Sequence, residues 1–384
     1  MPIHDIICLR LLLLACCLST PALAAEIKDG AFHVHPGESI QPALDAAAAS
    51  DTTKIVRVHA GTYRPERAGQ ALLWFQRKHD GIRLEAVGEV VLTAANPALS
   101  DPRRKGHPAV VNHVVYFGDG VSDRTELVGF RITGANDAYR TNDVAMVEPN
   151  DKLEKGLFFY CDGGGIKVFG RAYPVIRGVE VFGNYSSPCA GGVSVEHDGH
   201  GGGTAPKPVR FVDCVFRDNT AAVNGAAVDL LPGSHAVLTN CLFLRNAGNL
   251  SENYIDPRPQ KEFTNAAVLC VFPDARAVVQ RCTFTGNRNA VHDLGLDSIY
   301  ENSLFWDNRM PGGYYTSERY EMHIERRATV RGCRFGGTVI DPNGMIPEGK
   351  KVLSTSDPRL DADHVPQADG YEGVGFRPGL GPPH

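Results

Sequence analysis

Four side chains that can move protons or hold charge fall on one side of short, similar stretches: Lys167, Glu196, Asp229 and His292. The stretches are Ile166-Lys167-Val168, Val193-Ser194-Val195-Glu196, Val228-Asp229-Leu230 and Val291-His292. Apolar and polar residues alternate in them with a period of two, the mark of a strand with one face in a core and the other in solvent. Lys167, Ser194, Asp229 and His292 then face out, and in Ala267-Val268-Leu269-Cys270 the same reading sends Leu269 outward. If successive stretches are neighbouring strands, Asp229 and Glu196 are one strand and two residues apart, with backbones about 8 Å from each other. Two carboxyls about 6.5–9.5 Å apart can hydrolyse a glycosidic bond with inversion, one as acid and one as the base that activates water.

The same residues also suit β-elimination on a uronate. That reaction needs a partner for the substrate carboxylate and a base for the C5 proton. Calcium held by the oxygens of Glu196, Asp198 and Asp229 would supply the first. Lys167, His292, Arg258, Lys261 or a loop tyrosine would supply the second. Insertions at 135–162, 246–265 and 308–322 precede these strands, and 197–208 follows one. Loops that leave the core untouched and gather over one face are the usual seat of function. They bring Tyr254, Arg258, Lys261, Tyr315, Arg319 and His323 as a sugar-binding set, aromatic faces for C–H surfaces and charged groups for hydroxyls. Gly163-Gly164-Gly165 and Gly201-Gly202-Gly203 lack the Lys-Ser/Thr of a phosphate loop and read as turn glycines.

What must position these residues is a repeat. One column reads Phe130, Val179, Cys214, Cys241, Cys282, Ser303, Cys333, and two residues on another reads Ile132, Val181, Phe216, Phe243, Phe284, Phe305, Phe335. Both point into a core. Three residues further stands Asn184, Asn219, Asn246, Asn287, Asn308. These asparagines read as turn residues in left-handed backbone, able to hydrogen-bond their copies above and below. The shortest spacing in the Phe column, 21 residues from Phe284 to Phe305, is one coil without a loop. Coils of this kind bury their apolar faces only by stacking.

The pattern Cys-x-Phe-x-x-Asn followed by Gly-Ala-Ala or Gly-Gly-Val resembles the polymorphic outer-membrane-type repeat of pectin-lyase-like β-helices. His35-Pro36-Gly37-Glu38-Ser39-Ile40-Gln41, Ala43-Leu44-Asp45-Ala46-Ala47 and Ile55 to Tyr63 resemble the opening segment of that superfamily. The resemblance covers roughly residues 35–337. It implies an all-β fold, a single-stranded right-handed parallel β-helix with a short N-terminal capping helix over 39–49. The superfamily hosts many activities, so its bearing on function is looser. Polysaccharide lyases are common in it, which puts a lyase first, an inverting glycoside hydrolase using Asp229 and Glu196 second, and a non-enzymatic adhesin or glycan-binding module third.

A net charge of −5 excludes a general nucleic-acid binder, and no internal run of eighteen apolar residues offers a transmembrane span. Arg10, the apolar run Leu11 to Leu18 and Ala22-Leu23-Ala24 read as a signal peptide over 1–24, cleaved after Ala24, with the chain secreted or periplasmic. A lipoprotein signal at Leu14-Ala15-Cys16 would leave only about five apolar residues after Arg10. Seven cysteines follow residue 24, none in a CxxC spacing, so a structural zinc site is not expected from them. Cys161 and Cys189 precede equivalent strands by five and four residues, which puts them at one corner of adjacent coils. A coil spacing of about 4.8 Å lies within the α-carbon range of a disulfide, and export provides an oxidising compartment. The domains are then a β-helix over 25–337 and an irregular tail over 338–384 that wraps its open end.

Overall fold

The computed structural model describes residues 26–66, 69–97, 109–136, 160, 162–186, 189–248, 267–310, 319–344 and 356–379. Its strands stack in parallel into a right-handed β-helix. One wall is a nine-stranded sheet whose spatial order follows the sequence: Gly69–Phe75, Val111–Phe117, Ile166–Phe169, Val193–Glu196, Val228–Leu230, Leu269–Val271, Val291–Asp293, Met322–Ile324 and Val339–Ile340. The last of these carries the stack slightly beyond residue 337. A second wall contains Val209–Val212, His235–Thr239, Arg276–Gln280 and Ser298–Glu301, and a third contains Val215–Arg217, Leu242–Leu244, Thr283–Thr285 and Leu304–Trp306. The 21-residue coil is present as the pairing of Val278 with Ile299.

The corners explain the sequence columns. Between the second and third walls, Gly129, Gly178, Asp213, Asn240, Arg281, Asn302 and Gly332 all have positive φ, from 47° to 81°. After the third wall, Gly183, Asp218, Arg245, Gly286 and Asp307 do the same. The left-handed residue is therefore the one before each column asparagine, which corrects the expectation that the asparagines themselves take that conformation. Their role is the ladder. Asn246 Nδ2 donates to Asn287 Oδ1 at 3.0 Å and to the Phe216 carbonyl at 2.8 Å, while its Oδ1 accepts the Asn219 backbone N–H at 3.0 Å. The pattern runs from Asn184 to Asn308, where the Glu321 carboxylate ends it.

Inside, Cys214, Cys241, Cys282 and Cys333 are buried free thiols in one column, as the pattern requires. Phe216, Phe243, Phe284, Phe305 and Phe335 stack face to face with centroids 4.1–5.1 Å apart. The helix Ile40–Ala49 buries Ile40, Ala43, Leu44 and Ala47, one stripe at helical spacing, over the N-terminal coils. Among the described residues no helix is long and apolar enough to cross a membrane.

The tail does not wrap the open end over its described part. Residues 356–379 run along the outside of the third wall. Phe376 packs on Leu242 and Leu244, and Tyr371 and Val374 pack on Leu304. These wall residues are apolar on a face expected to meet solvent, which is why the tail settles there. Arg377 exchanges two hydrogen bonds with the Asn240 side chain, both 2.8 Å, and Phe376 N–H donates to Thr283 Oγ1 at 2.8 Å. Gly375 allows this approach: a Cβ there would lie 2.6 Å from Thr283 Oγ1, and its φ is +81°.

Candidate functional site

The outward row of the nine-stranded sheet reads Trp74, Tyr116, Lys167, Ser194, Asp229, Cys270, His292, His323, Ile340, one residue per coil. Cys270, not Leu269, is the residue paired with Asp229; Leu269 is in the core. Ala267 to Phe272 is apolar throughout, so alternation could not fix its register, and the chain places the larger Leu269 and Val271 inside. Glu196 lies two residues past Ser194, level with Phe169.

The expected trio is therefore assembled, but not on an exposed face. Lys167, Ser194 and Asp229 are completely buried, and only Glu196 keeps contact with solvent, its side chain 21% exposed. Strand alternation separates core from outside; it carries no information on what lies over the outside. The Lys167 ammonium donates to Ser194 Oγ at 3.1 Å and to Glu196 Oε2 at 2.7 Å. A buried cation demands such partners, and this one is held as an ion pair.

Asp229 differs. Neither carboxyl oxygen has a hydrogen-bond partner among the described residues. Burial pushes its pKa up to about 7, against the opposing pull of Lys167. Asp162 is also buried, and its Oδ1 accepts the Cys189 backbone N–H at 3.1 Å. Burial drives its carboxyl well above the usual range, Lys167 opposing and Asp229 adding to the rise. An Asp162 oxygen, the Cys189 sulfur and an Asp229 oxygen lie within 4.8 Å of one another. Gly225 closes one side: it has φ +61°, and a Cβ there would stand 2.6 Å from the Asp229 carboxyl.

Cys189 is a buried free thiol whose Sγ donates to Asn224 Oδ1 at 2.9 Å, and burial raises its pKa. Cys161, the other half of the expected disulfide, lies outside the described residues. The expected calcium set is not gathered either. Asp198 is exposed in a turn with Oδ1 on the Gly199 N–H, Glu196 is engaged by Lys167, and Asp229 favours its neutral form. Among the described residues, the groups of three or more ligating side chains contain neither Glu196 nor Asp198.

His292 sits two coils from Asp229, with Cys270 between them. It stacks on His323, centroids 4.8 Å apart, and its Nε2 is 2.8 Å from Glu325 Oε1. His323 was expected on a loop and is instead the centre of the strand Met322–Ile324. Arg319 lies apart from the trio's ion pair, in a depression with Arg309, Tyr320, Glu321 and Thr338. Tyr254, Arg258, Lys261 and Tyr315 fall outside the described residues. Glu325 escaped sequence reading, although it follows His323 by two residues as Glu196 follows Ser194; the repeat position was the available signal. No family model matches the chain, and neither a curated protein nor a solved structure matches it.

Proposed function

We propose that this chain is an exported, polysaccharide-acting enzyme of the pectin-lyase-like kind that hydrolyses glycosidic bonds with inversion, Asp229 acting as general acid and Glu196 as general base. The observation that carries this reading is the contrast between the two carboxyls. Burial favours the protonated form of Asp229, whereas Glu196 is a carboxylate paired with Lys167. A carboxyl whose proton is held by burial suits the role of acid, and one that meets solvent and accepts from a lysine suits the role of base. The pairing of Ser194 with Asp229 leaves Glu196 two residues along the neighbouring strand, a backbone separation of about 8 Å that is compatible with the carboxyl spacing of an inverting pair. Lys167 would orient Glu196 and hold its charge.

Asp229 bears a further mark. A buried carboxyl without a partner costs about 1–3 kcal/mol, and such a cost is characteristic of groups kept for chemistry. The reading carries one requirement: of the trio only Glu196 meets solvent, so a glycan must open the cover over Asp229. β-Elimination on a uronate is the second reading, favoured by the buried Lys167 ammonium beside Asp229, which would take the substrate carboxylate in place of Glu196.

A panel of neutral and uronate polysaccharides tests these readings. Hydrolysis with inversion gives new reducing ends of the opposite anomeric configuration, read by proton NMR at early times, and Asp229→Asn loses most of the activity. Products carrying the ultraviolet absorbance of an unsaturated uronate would replace hydrolysis by elimination. Binding without cleavage would make the chain a glycan-binding module. Full activity in Asp229→Asn would remove that residue from the mechanism.

A further inference from the structure

We propose that His292, His323 and Glu325 form a binding site for one divalent transition-metal ion of the zinc class. The site stands on its own residues, two coils from Asp229, and does not depend on the hydrolase reading. His292 and His323 occupy the same register on consecutive parallel strands, so the backbone ladder itself sets their separation. Their rings are nearly parallel, 23° apart, with centroids 4.8 Å apart. Glu325 reaches the same spot from two residues beyond His323. Its Oε1 is 2.8 Å from His292 Nε2 and 3.8 Å from His323 Nε2.

One ligand atom from each of the three lies within 4.8 Å of the others. An ion bound tetrahedrally at 2.0–2.2 Å needs donor atoms about 3.4 Å apart. The two distances to Glu325 straddle that value, so small rotations of side chains on a fixed backbone would admit the ion. The backbone is well fixed at Glu325: its N–H donates to the Asp293 carbonyl at 2.8 Å, and its carbonyl accepts from Asn343 Nδ2 at 2.8 Å. The Tyr320 ring stands edge-on to His323, centroids 5.6 Å apart, and limits the ring's swing.

The donor set decides the class of ion. Two imidazoles with one carboxylate suit zinc and its first-row neighbours; calcium and magnesium prefer oxygen alone. The side chains of His292, His323 and Glu325 are 10%, 11% and 37% exposed, so the donors are held against the protein with one side open to solvent. Three protein ligands and an open position make a site that keeps a water or takes a ligand atom, in contrast to a closed structural site. Arg326, next along the chain, is directed toward Asp274, 3.9 Å from its carboxylate. The competing arrangement is a metal-free ion pair between protonated His292 and Glu325.

The test uses the full mature chain carrying no histidine tag, stripped with a chelator and dialysed. Calorimetric titration with Zn2+ should give one ion per chain, with calcium giving no binding heat. His323→Ala and Glu325→Gln should each weaken zinc binding at least tenfold. Cobalt(II) supplies a readout that needs no variant: tetrahedral coordination by nitrogen and oxygen gives intense visible bands without the near-ultraviolet charge transfer of a thiolate. Absence of stoichiometric zinc binding overturns the proposal, as does unchanged affinity in a folded His292→Ala, His323→Ala double variant. A thiolate band would move the ion to Asp162, Cys189 and Asp229 and equally overturn it.

Discussion

Two ladders of buried polar side chains run along this β-helix, and they are satisfied to different degrees. At the corner after the third wall, Asn184, Asn219, Asn246, Asn287 and Asn308 are linked each to the next by side-chain hydrogen bonds, with further bonds to the backbone, and Glu321 ends the series. On the outward row of the nine-stranded sheet, Lys167, Ser194 and Asp229 are as deeply buried, yet both Asp229 oxygens stand without a partner among the described residues. The difference lies in the functional group. A carboxamide is donor and acceptor at once, so an identical neighbour one coil away completes it. Asp229 has no copy of itself above or below: its row neighbours are Ser194 and Cys270, and neither completes the carboxyl. Repetition of one residue solves a structural problem; the unlike residues of the row leave one open, and that is where we place the chemistry.

The largest expected effect breaks the satisfied ladder. Asn246→Leu leaves the Asn219 N–H and amide, the Phe216 carbonyl and the Asn287 side chain short of partners. At about 1–3 kcal/mol for each unsatisfied group, the loss should be about 5 kcal/mol, read from urea unfolding. A loss under about 1 kcal/mol would mean that water substitutes and that the ladder is not sealed.

The next sharpens the contrast at Asp229. Its native pKa is raised from 3.8 to about 7, so the native state binds its proton more tightly than the unfolded chain does. This contribution to stability is complete below about pH 4 and is lost as pH rises through about 7. The step amounts to about 4 kcal/mol, shared in practice with the nearby Asp162. Asp229→Asn, neutral throughout, should remove most of that slope and unfold later than the wild type at pH 8. Parallel stability profiles for the two proteins between pH 4 and 8 would refute the raised pKa.

The smallest effect lies on the surface. Arg245 pairs with Asp218 at 2.8 Å across adjacent coils, with side chains 49% and 35% exposed. Arg245→Ala should cost less than about 1 kcal/mol and less still in high salt. A larger cost would show that outer ion pairs, and not only the buried ladder, fix the stacking of coils.

The fold was legible because its signal repeats. The Cys, Phe and Asn columns recur at matched offsets, and the structure keeps all three in register. Where the repeat is interrupted, reading failed for identifiable reasons. The uniform apolar run from Ala267 to Phe272 concealed a one-residue slip that put Cys270 where Leu269 was expected. The strand Met322–Ile324 passed for loop, and so Glu325 went unnoticed beside His323. The gathering of Lys167, Glu196 and Asp229 followed from alternation and register; their burial did not, because the cover over a strand comes from elsewhere in the chain. The same gap hid the seat of the tail.

That tail has a consequence for how the molecule forms. Stacked coils touch only their immediate neighbours, so such a structure can assemble, and fray, one coil at a time. Residues 371–377 touch three successive coils at once, through Leu242, Thr283 and Leu304, and close a loop of 137 residues between Asn240 and Arg377. Contacts this distant in sequence form slowly, and these wait until residues 371–377 have been made. A nascent chain can therefore wind its coils before it can fasten them. Once residues 371–377 are in place, those three coils must let go together, and piecemeal fraying gives way to a single cooperative step.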